Sequence, residues 1–549
     1  CRGDAARPQV EVIDLARWAA TLSHGLARAT EPAATLFPVR RSVPDSEWPQ
    51  RAAQDHEGDQ GMANIGLHRR DFLGQGLTTA AAMVGGVALG RSAAAAPGPN
   101  DRIRLGLIGV GWRGGQHLDA LLKTEGCEVV ALCDPEAAFL GPAGEKAPQA
   151  KTYADMRKML DDDAVDAVVI STCNHWHCLA AIWACEAGKD VYVEKPLSYT
   201  LWEGRQLINA ARKHGRIVQV GTQQRSDPVQ AEIRRFLHEE RALGPIESVV
   251  VTRFGIRSGI GKRATPLAPP ATLDYDLWLG PAADQPIYRD KINYDWHWDW
   301  NTGNGESANW GVHVIDDIRN VAFQDACSLP TSVTCGGGRV VWDDAGQTPN
   351  LMFARLEAAG VPVVFALSNL PKTPGGKDPL QFEDTQSGYI VNCSGGSYHG
   401  RRGGGVAVDR EGKTIRKFKG TGGSREHYQN FLAAVRSRDH QALNAETVVG
   451  HDSTNWSHVI NAAWRSADAR GLMSSADAPT AGPLAEVGGL MEKHVQAYGA
   501  DAAAGLRLSG QLAIDPAAEA FVGSGAEAAN AYLGPREFRG PYVIEPVTG

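Results

Sequence analysis

Short apolar runs alternate with amphipathic stretches from about residue 101 onward. Residues 103–108 form an apolar run with β-branched side chains, which predicts a strand, and residues 116–123 have the pattern of a helix. The alternation continues, with predicted strands at 128–133, 165–172, 190–196 and 217–225 and predicted helices at 179–188 and 201–215. Strands and helices that alternate through short connections are typical of a doubly wound parallel sheet.

The second half of the chain has a different pattern. Residues 245–260, 331–358 and 362–410 are rich in β-branched runs separated by Gly, Pro and Asp turns, which favours an antiparallel sheet. Residues 424–438 and 454–470 predict amphipathic helices. The expected fold class is therefore α/β, with a parallel sheet followed by a mostly antiparallel one.

The first predicted strand runs directly into a glycine-rich turn, Gly109-Val-Gly111-Trp112-Arg113-Gly114. The first glycine permits the tight turn, the second lets the backbone approach a pyrophosphate, and the third allows close packing of helix on strand. The start of the helix also presents unpaired N–H groups to phosphates. We predict a dinucleotide site formed by Gly109, Gly111, Trp112, Arg113 and Gly114.

Asp134 ends the second predicted strand. A carboxylate there accepts hydrogen bonds from both ribose hydroxyls and would repel a 2′-phosphate. NAD is therefore expected in preference to NADP.

Three polar clusters follow later strands at their carboxyl ends, where such sheets bind ligands. They are the stretch STCNHWH at 171–177, Glu194-Lys195-Pro196 and Gly221-Thr-Gln223. From them we expect cofactor contacts by Thr172, Asn174, His177, Glu194, Lys195 and Gln223. His175 and His177 raise the alternative of a metal, but no third ligand is evident, and no metal is predicted.

These motifs resemble those of the Gfo/Idh/MocA family, named for glucose–fructose oxidoreductase, inositol dehydrogenase and rhizopine catabolism. The Gly-rich turn, STCNHWH, Glu194-Lys195-Pro196 and the stretch 301–317 carry the resemblance over about residues 101–470, with a weaker echo at 532–546. The resemblance implies a Rossmann NAD-binding domain at 101–225. It also implies a substrate and oligomerisation domain with a large, open, mostly antiparallel sheet at 226–470. Residues 471–549 are then a C-terminal extension.

The resemblance also assigns Lys195 to the catalytic centre and His313 to proton transfer. Imidazole titrates near the working pH, and a lysine ammonium can stabilise negative charge on a reacting oxygen. A hydrogen-bonded core histidine is the alternative for His313. The family often has an acid four residues earlier, where this chain has Asn309, which shares a helical face with His313. We expect Asn309 to bind a substrate hydroxyl or to orient His313.

Aromatic residues concentrate at 294–300, just before this helix. Flat rings suit the C–H faces of sugars, and core packing is the alternative. We expect Trp298 to face the substrate. Asp316 is expected to bind the substrate, to hydrogen-bond His313 or to cap a local network. The predicted activity is hydride transfer between a sugar or polyol hydroxyl and a nicotinamide cofactor. A redox-neutral glycosidase or lyase that retains NAD, and a non-catalytic sugar or nucleotide binder, are the alternatives.

The composition narrows the class of partner. With 63 acidic and 55 basic side chains the net charge is −8, which gives no electrostatic reason to expect nucleic acid. Nine cysteines without a zinc-site spacing favour buried thiols over disulfides. The chain of 549 residues suggests two or three domains. A small substrate and a homo-oligomer are expected.

Residues 62–97 have the order of a secretory signal. Arg69 and Arg70 precede Phe72 and an Ala/Gly/Val stretch, and small residues follow, which predicts a twin-arginine signal and a periplasmic or extracellular location. The apolar run at 77–89 is shorter than the ~20 residues that a spanning helix needs, so no stable membrane insertion is expected. Residues 1–61 carry no motif, and a disordered segment or an upstream leader is expected there.

Overall fold

The computed structural model describes residues 102–468, 471–472 and 482–548. The expectations for residues 1–61 and for the export signal at 62–97 lie outside these residues and stay predictions.

A six-stranded parallel sheet forms the first domain, in the order β3-β2-β1-β4-β5-β6. The order reverses between β1 and β4, and this is the point where a doubly wound sheet opens a crevice for its ligand. The strands are β1 (Ile103–Ile108), β2 (Cys127–Cys133), β3 (Lys151–Tyr153), β4 (Ala167–Ile170), β5 (Asp190–Val193) and β6 (Val218–Val220). The helices between and after them are α1 (Trp112–Leu121), α2 (Ala137–Lys146), α3 (Met156–Leu160), α4 (His177–Glu186), α5 (Leu201–Lys213) and α6 (Pro228–Arg234).

The predicted parallel sheet is confirmed, with differences at the ends of its strands. The predictions at 165–172 and 217–225 overran β4 and β6, because the chain turns into the 3₁₀ segments Asn174–Trp176 and Gln223–Ser226 soon after these strands. The short elements β3, α2 and α3 were missed, since three to ten residues leave little room for a periodic pattern.

The second domain is built on an eleven-stranded sheet. Its strands pair antiparallel except for β7 with β10, so the prediction of a mostly antiparallel sheet is confirmed. The strands are β7 (Ile246–Phe254), β8 (Ser332–Gly338), β9 (Leu351–Ala358), β10 (Val361–Ser368), β11 (Ser387–Cys393), β12 (Gly396–Arg401), β13 (Gly404–Asp409), β14 (Thr414–Lys419), β15 (Arg507–Leu508), β16 (Leu512–Asp515) and β17 (Ala520–Val522). The helices are α7 (Tyr275–Leu279), α8 (Val312–Val321), α9 (Ser424–Ser437), α10 (Thr447–Arg465), α11 (Pro483–Ala497), α12 (Ala500–Ala504) and α13 (Ala526–Asn530).

Each face of this sheet buries its own core. On one face, Val249, Val251 and Phe365 pack with Ile315 of α8 and Trp456 of α10. On the other, alternate residues of the same strands pack with α11, whose contributions are Leu484, Val487, Met491 and Val495. The residues after 482 therefore form part of the second domain, since β16 pairs with β8 and α11 covers the second face.

The end of the chain and α9 both return to the Rossmann domain. Tyr542 and Ile544 join its core beside Trp176, whereas Arg539 pairs at 2.6 Å with Asp276 of α7 in the second domain. On the opposite face of the parallel sheet, Phe431 and Leu432 of α9 pack in the core under β1. The two domains therefore share structure contributed by distant parts of the sequence.

Two further sequence-based expectations concern the state of the cysteines and the membrane-spanning helices. The eight cysteines among the described residues are free thiols, and seven of them are buried, as predicted. Within the same residues, helices that combine the length and the apolar character required to cross a bilayer are absent.

Candidate active site

The glycine-rich turn lies between β1 and α1, at the carboxyl edge of the sheet. Gly109 has a φ of +84°, and a Cβ there would stand 2.7 Å from the carbonyl oxygen of Ser171. A Cβ at Gly114 would stand 1.9 Å from the carbonyl oxygen of Gly109. Both positions therefore require glycine, one for its backbone conformation and one for close packing of α1 on the turn. This glycine cradle and the following helix fit a dinucleotide pyrophosphate.

Asp134 lies at the end of β2 with its carboxylate held in place. Its Oδ2 accepts a hydrogen bond from the amide of Val110 at 2.8 Å, and its Oδ1 accepts one from the amide of Glu136 at 2.9 Å. Burial raises the pKa of Asp134 to about 6, although these amides favour the charged form. Each oxygen keeps a lone pair for a ribose hydroxyl.

One cleft joins this turn to the carboxyl ends of β4 and β5. Most of the residues predicted to bind the cofactor line it, as do residues of the aromatic stretch before α8. The predicted lining residues are Gly109, Gly111, Trp112, Arg113, Asp134, Thr172, Asn174, His177, Glu194, Lys195 and Asn309. Those added by the structure include Phe139, Tyr294, Trp296 and His297.

Lys195 follows β5 and reaches across to the second domain. Its Nζ donates to the backbone carbonyl oxygen of Asn309 at 2.7 Å and to the Asn309 side-chain oxygen at 3.3 Å. Burial lowers the pKa of Lys195 to about 8, with Glu194 opposing this shift and Arg113 adding to it. The ammonium therefore prevails at pH 7 but loses its proton more readily than a surface lysine does.

Asn309 presents its carbonyl to Lys195 because the backbone is locally widened. Residues Ser307–Gly311 form one π-helical turn immediately before α8. Such turns disturb the regular ladder of backbone hydrogen bonds and recur at functional sites. The amide of Asn309 donates to Glu306 Oε2 at 3.2 Å, so its side-chain oxygen is turned toward Lys195.

Glu306 supplies a buried carboxylate three residues before Asn309. Burial opposes its ionisation, but Arg253 and Arg257 lower its pKa, with closest N–O distances of 2.7 and 3.1 Å. The sequence has no acid at position 309, and its motifs do not predict a role for Glu306. The distant arginines that hold it give no local signal in the sequence.

Glu194, although it lines the cleft, is engaged by protein groups. Its Oε1 accepts from Arg113 Nε at 2.8 Å and lies 2.9 Å from His117 Nε2, and its Oε2 accepts from the amide of Lys195 at 3.1 Å. These contacts indicate that Glu194 positions Arg113 and the backbone of Lys195.

His297 is one of two imidazoles that line the cleft, the other being His177. Its Nδ1 donates to the carbonyl oxygen of Tyr294 at 2.6 Å, which leaves Nε2 as the unprotonated acceptor. The ring stacks on Trp296 with 3.6 Å between ring centroids. Burial lowers the pKa of His297 to about 3, so it is neutral at pH 7. In the sequence His297 lies within the aromatic stretch 294–300, and no motif there predicts a role for it.

His313 lies on α8 outside the set of cleft-lining residues. Its ring meets Trp310 edge to face at 5.9 Å, and no described residue hydrogen-bonds either ring nitrogen. Burial lowers its pKa well below the usual value, and Arg402 and Lys195 lower it further. His313 is therefore a neutral imidazole close to the lysine, without a group that orients it.

Three residues predicted to contact the substrate or the cofactor lie outside the lining of the cleft. Asp316 does not reach His313, because its Oδ1 accepts from Arg225 Nε at 2.7 Å and from Ser453 at 2.6 Å in the core. Trp298 is only 4% exposed, and Trp296 and Tyr294 take its place in the cleft. Gln223 bonds to the carbonyl oxygen of Gly221 and to Arg402 and lies outside the cleft lining.

The two histidines of STCNHWH have structural partners. His177 lies 2.6 Å from the carbonyl oxygen of Pro196 and 3.1 Å from that of Thr172, so it ties the Lys195 turn to β4. His175 likewise faces two carbonyl oxygens. Among the residues that the structure describes, groups of three or more side chains arranged to hold a metal ion are absent.

The fold and the cleft thus combine an NAD-binding Rossmann domain with a second domain built on a mostly antiparallel sheet. Residues 103–222 match the family model "Oxidoreductase family, NAD-binding Rossmann fold", and residues 253–361 match "Oxidoreductase family, C-terminal alpha/beta domain". Both matched segments are domains of the Gfo/Idh/MocA oxidoreductase family, which confirms the resemblance inferred from the motifs.

Relatives of different activity align with the chain. An α-N-acetylgalactosaminidase of Shewanella oneidensis is 34% identical over 27% of this chain and 37% of its own length. An inositol 2-dehydrogenase of Salmonella paratyphi B is 33% identical over 32% of this chain and 54% of its own length. The alignments thus span roughly a third to a half of these relatives.

A solved structure supports the fold alone. A putative NADPH-dependent oxidoreductase from Desulfitobacterium hafniense superposes with a TM-score of 0.50 at 13% identity, covering 66% of this chain and 94% of that one.

Proposed function

We propose that the protein oxidises a hydroxyl of a sugar or polyol and that NAD, in preference to NADP, is its cofactor. One observation carries the proposal: the glycine cradle, Asp134, Lys195 and a neutral imidazole, His297, line a single cleft. Bound NAD would supply the hydride acceptor, which amino-acid side chains do not provide. Gly109, Gly111 and Gly114 would receive its pyrophosphate, and Asp134 would receive its ribose.

Side chains of the protein would accept the hydroxyl proton and stabilise the negative charge on the reacting oxygen. Lys195 Nζ, already held by Asn309, would donate a hydrogen bond to that oxygen as negative charge develops on it. His297 Nε2, or the neutral ring of His313, would accept the hydroxyl proton. The defined tautomer and the exposure to the cleft favour His297.

A second candidate is redox-neutral cleavage of a glycoside with retained cofactor. The 34% identity over 171 residues to an α-N-acetylgalactosaminidase favours it, since that relative is named for cleaving a glycoside. Both reactions begin by removing a proton and a hydride from a sugar carbinol, so they assign the same roles to Lys195 and the imidazoles.

The test is to purify the protein, release any bound nucleotide with acid and identify it by mass. Sugars, polyols and their glycosides are then screened for a change in cofactor absorbance within one turnover. Accumulated reduced cofactor would support the dehydrogenase, and release of an aglycone without it would support the second candidate. Failure to bind NAD would overturn both.

We also propose export through the twin-arginine route, on the evidence of the signal-like stretch at 62–97. That route carries folded proteins, so a cofactor bound in the cytoplasm would travel with the enzyme.

A further inference from the structure

Arg402 lies at the turn between β12 and β13, far along the chain from the residues discussed so far. Its guanidinium is half-buried, with Cζ 5.6 Å from the centre of the Trp310 ring. The same Trp310 ring meets His313 edge to face. The charge of Arg402 also acts on both His313 and Lys195, whose pKa values it lowers. The second domain thus brings a cation to the catalytic groups.

The other arginines of this region have carboxylate partners. Arg113 pairs with Glu194, and Arg253 and Arg257 share Glu306. Arg402, in contrast, makes no ion pair within 4 Å with any residue that the structure describes, and its hydrogen-bonding partner is the neutral amide of Gln223. Glu306 is the single carboxylate that pairs with both Arg253 and Arg257, and Lys195 is protonated at pH 7. The positive charges of the region therefore outnumber its paired carboxylates.

Asp317 is the acid whose charge acts most strongly on Arg402, but the two side chains form no ion pair within 4 Å in the described structure. Burial raises the pKa of Asp317 well above its usual value and Asp316 raises it further, whereas Arg402 and Arg225 lower it. Asp317 is only 2% exposed, and its Oδ1 has no hydrogen-bond partner in the described structure. A half-buried guanidinium without an ion-pair partner is costly, and an anionic ligand would remove that cost.

We infer that Arg402 binds a carboxylate of the substrate, so that the preferred substrates are acidic sugars such as uronic or aldonic acids. The inference rests on the proposed sugar oxidation and names its substrate class. A guanidinium presents paired donors that match the two oxygens of a carboxylate, and Gln223 and Trp310 restrict its orientation. A phosphate or sulfate ester would satisfy the same charge with a tetrahedral group, and the experiment separates these sources.

Binding is measured by calorimetry with the NAD-loaded, full-length protein. The probes are matched pairs that differ in one group: glucuronate against glucose, galacturonate against galactose and gluconate against sorbitol, with glucose 6-phosphate as the ester. We expect at least one acidic member to bind about tenfold or more tightly than its neutral partner. Arg402→Gln should abolish that preference and leave NAD binding unchanged. Arg401→Gln is the matched control, since Arg401 is the exposed neighbouring arginine at the end of β12.

Binding needs no turnover, so failure of this inference and failure of the proposed function give different results. Equal or weaker binding of every carboxylate probe, or a preference that survives in Arg402→Gln, would overturn the inference while neutral-sugar oxidation could stand. Tight binding confined to the phosphate ester would also overturn it. A carboxylate preference in a protein that oxidises no sugar would retain the anion site and reject the proposed oxidation.

Discussion

Lys195 Nζ lies 2.7 Å from the backbone carbonyl oxygen of Asn309, a residue 114 positions later in the chain. The bond connects the end of β5 in the Rossmann domain to the π-helical turn that precedes α8. It aims the ammonium at the cleft before any substrate arrives, and such preorganised donors are a large source of transition-state stabilisation.

The first prediction follows from this bond. Lys195→Ala should reduce the rate of hydride transfer on the order of a hundredfold or more, because it removes the donor to the developing oxyanion. NAD affinity should change far less. Single-turnover absorbance gives the rate and calorimetry gives the affinity. A Lys195→Ala protein with a nearly normal rate would show that the catalytic centre lies elsewhere.

The second prediction separates the two imidazoles. If His297 accepts the proton, His297→Ala should lower the hydride-transfer rate about a hundredfold or more, whereas His313→Ala should have a smaller effect. The double variant Lys195→Ala/His297→Ala should be less than additive, because both groups would act on one hydroxyl. If His313→Ala lowers the hydride-transfer rate more than His297→Ala does, His313 is the base, as predicted from the sequence.

The third prediction concerns pH. Burial lowers the pKa of Lys195 to about 8, so the ammonium is present below that pH and is lost as the pH rises through it. A reaction that needs the ammonium should therefore slow above about pH 8. Arg402 lowers the same pKa, so Arg402→Gln should move this alkaline limb to higher pH. The pH profile of kcat/KM measures both effects, and an unchanged limb in Arg402→Gln would contradict the assignment.

How far the sequence predicts this site depends on where its parts come from. A local motif directly after a strand marks each of three parts of the site: the glycine turn, Asp134 and Lys195. The sequence alone therefore predicts them. No local motif marks Glu306 or Arg402. Their roles depend on Arg253 and on the Trp310 ring, which are distant in the sequence and come close only in the folded protein. Asp316 is the opposite case. Its position three residues after His313 suggests contact between the two side chains, but its carboxylate accepts hydrogen bonds from Arg225 and Ser453 instead.

The fourth prediction tests this correction for Asp316. Its pair with Arg225 is buried, with 1% and 4% side-chain exposure, so Asp316→Ala should lower the free energy of unfolding by about 3–5 kcal/mol. Sugar affinity in the folded protein should stay close to that of the wild type. Urea denaturation measures the first quantity and calorimetry the second. Normal stability together with weakened sugar binding would restore the role in substrate binding.

The fifth prediction concerns the preference for NAD over NADP, which depends on Asp134. Because both its carboxylate oxygens are fixed by the amides of Val110 and Glu136, its charge cannot swing away from the ribose without breaking those bonds. NAD should therefore bind about tenfold or more tightly than NADP, whose 2′-phosphate would meet this carboxylate. Asp134→Ala should reduce the ratio by weakening NAD binding, and Asp119→Ala, at an exposed position on α1, serves as the control. Calorimetry on nucleotide-free protein gives both constants, and equal affinity of the wild type for the two nucleotides would refute the assignment.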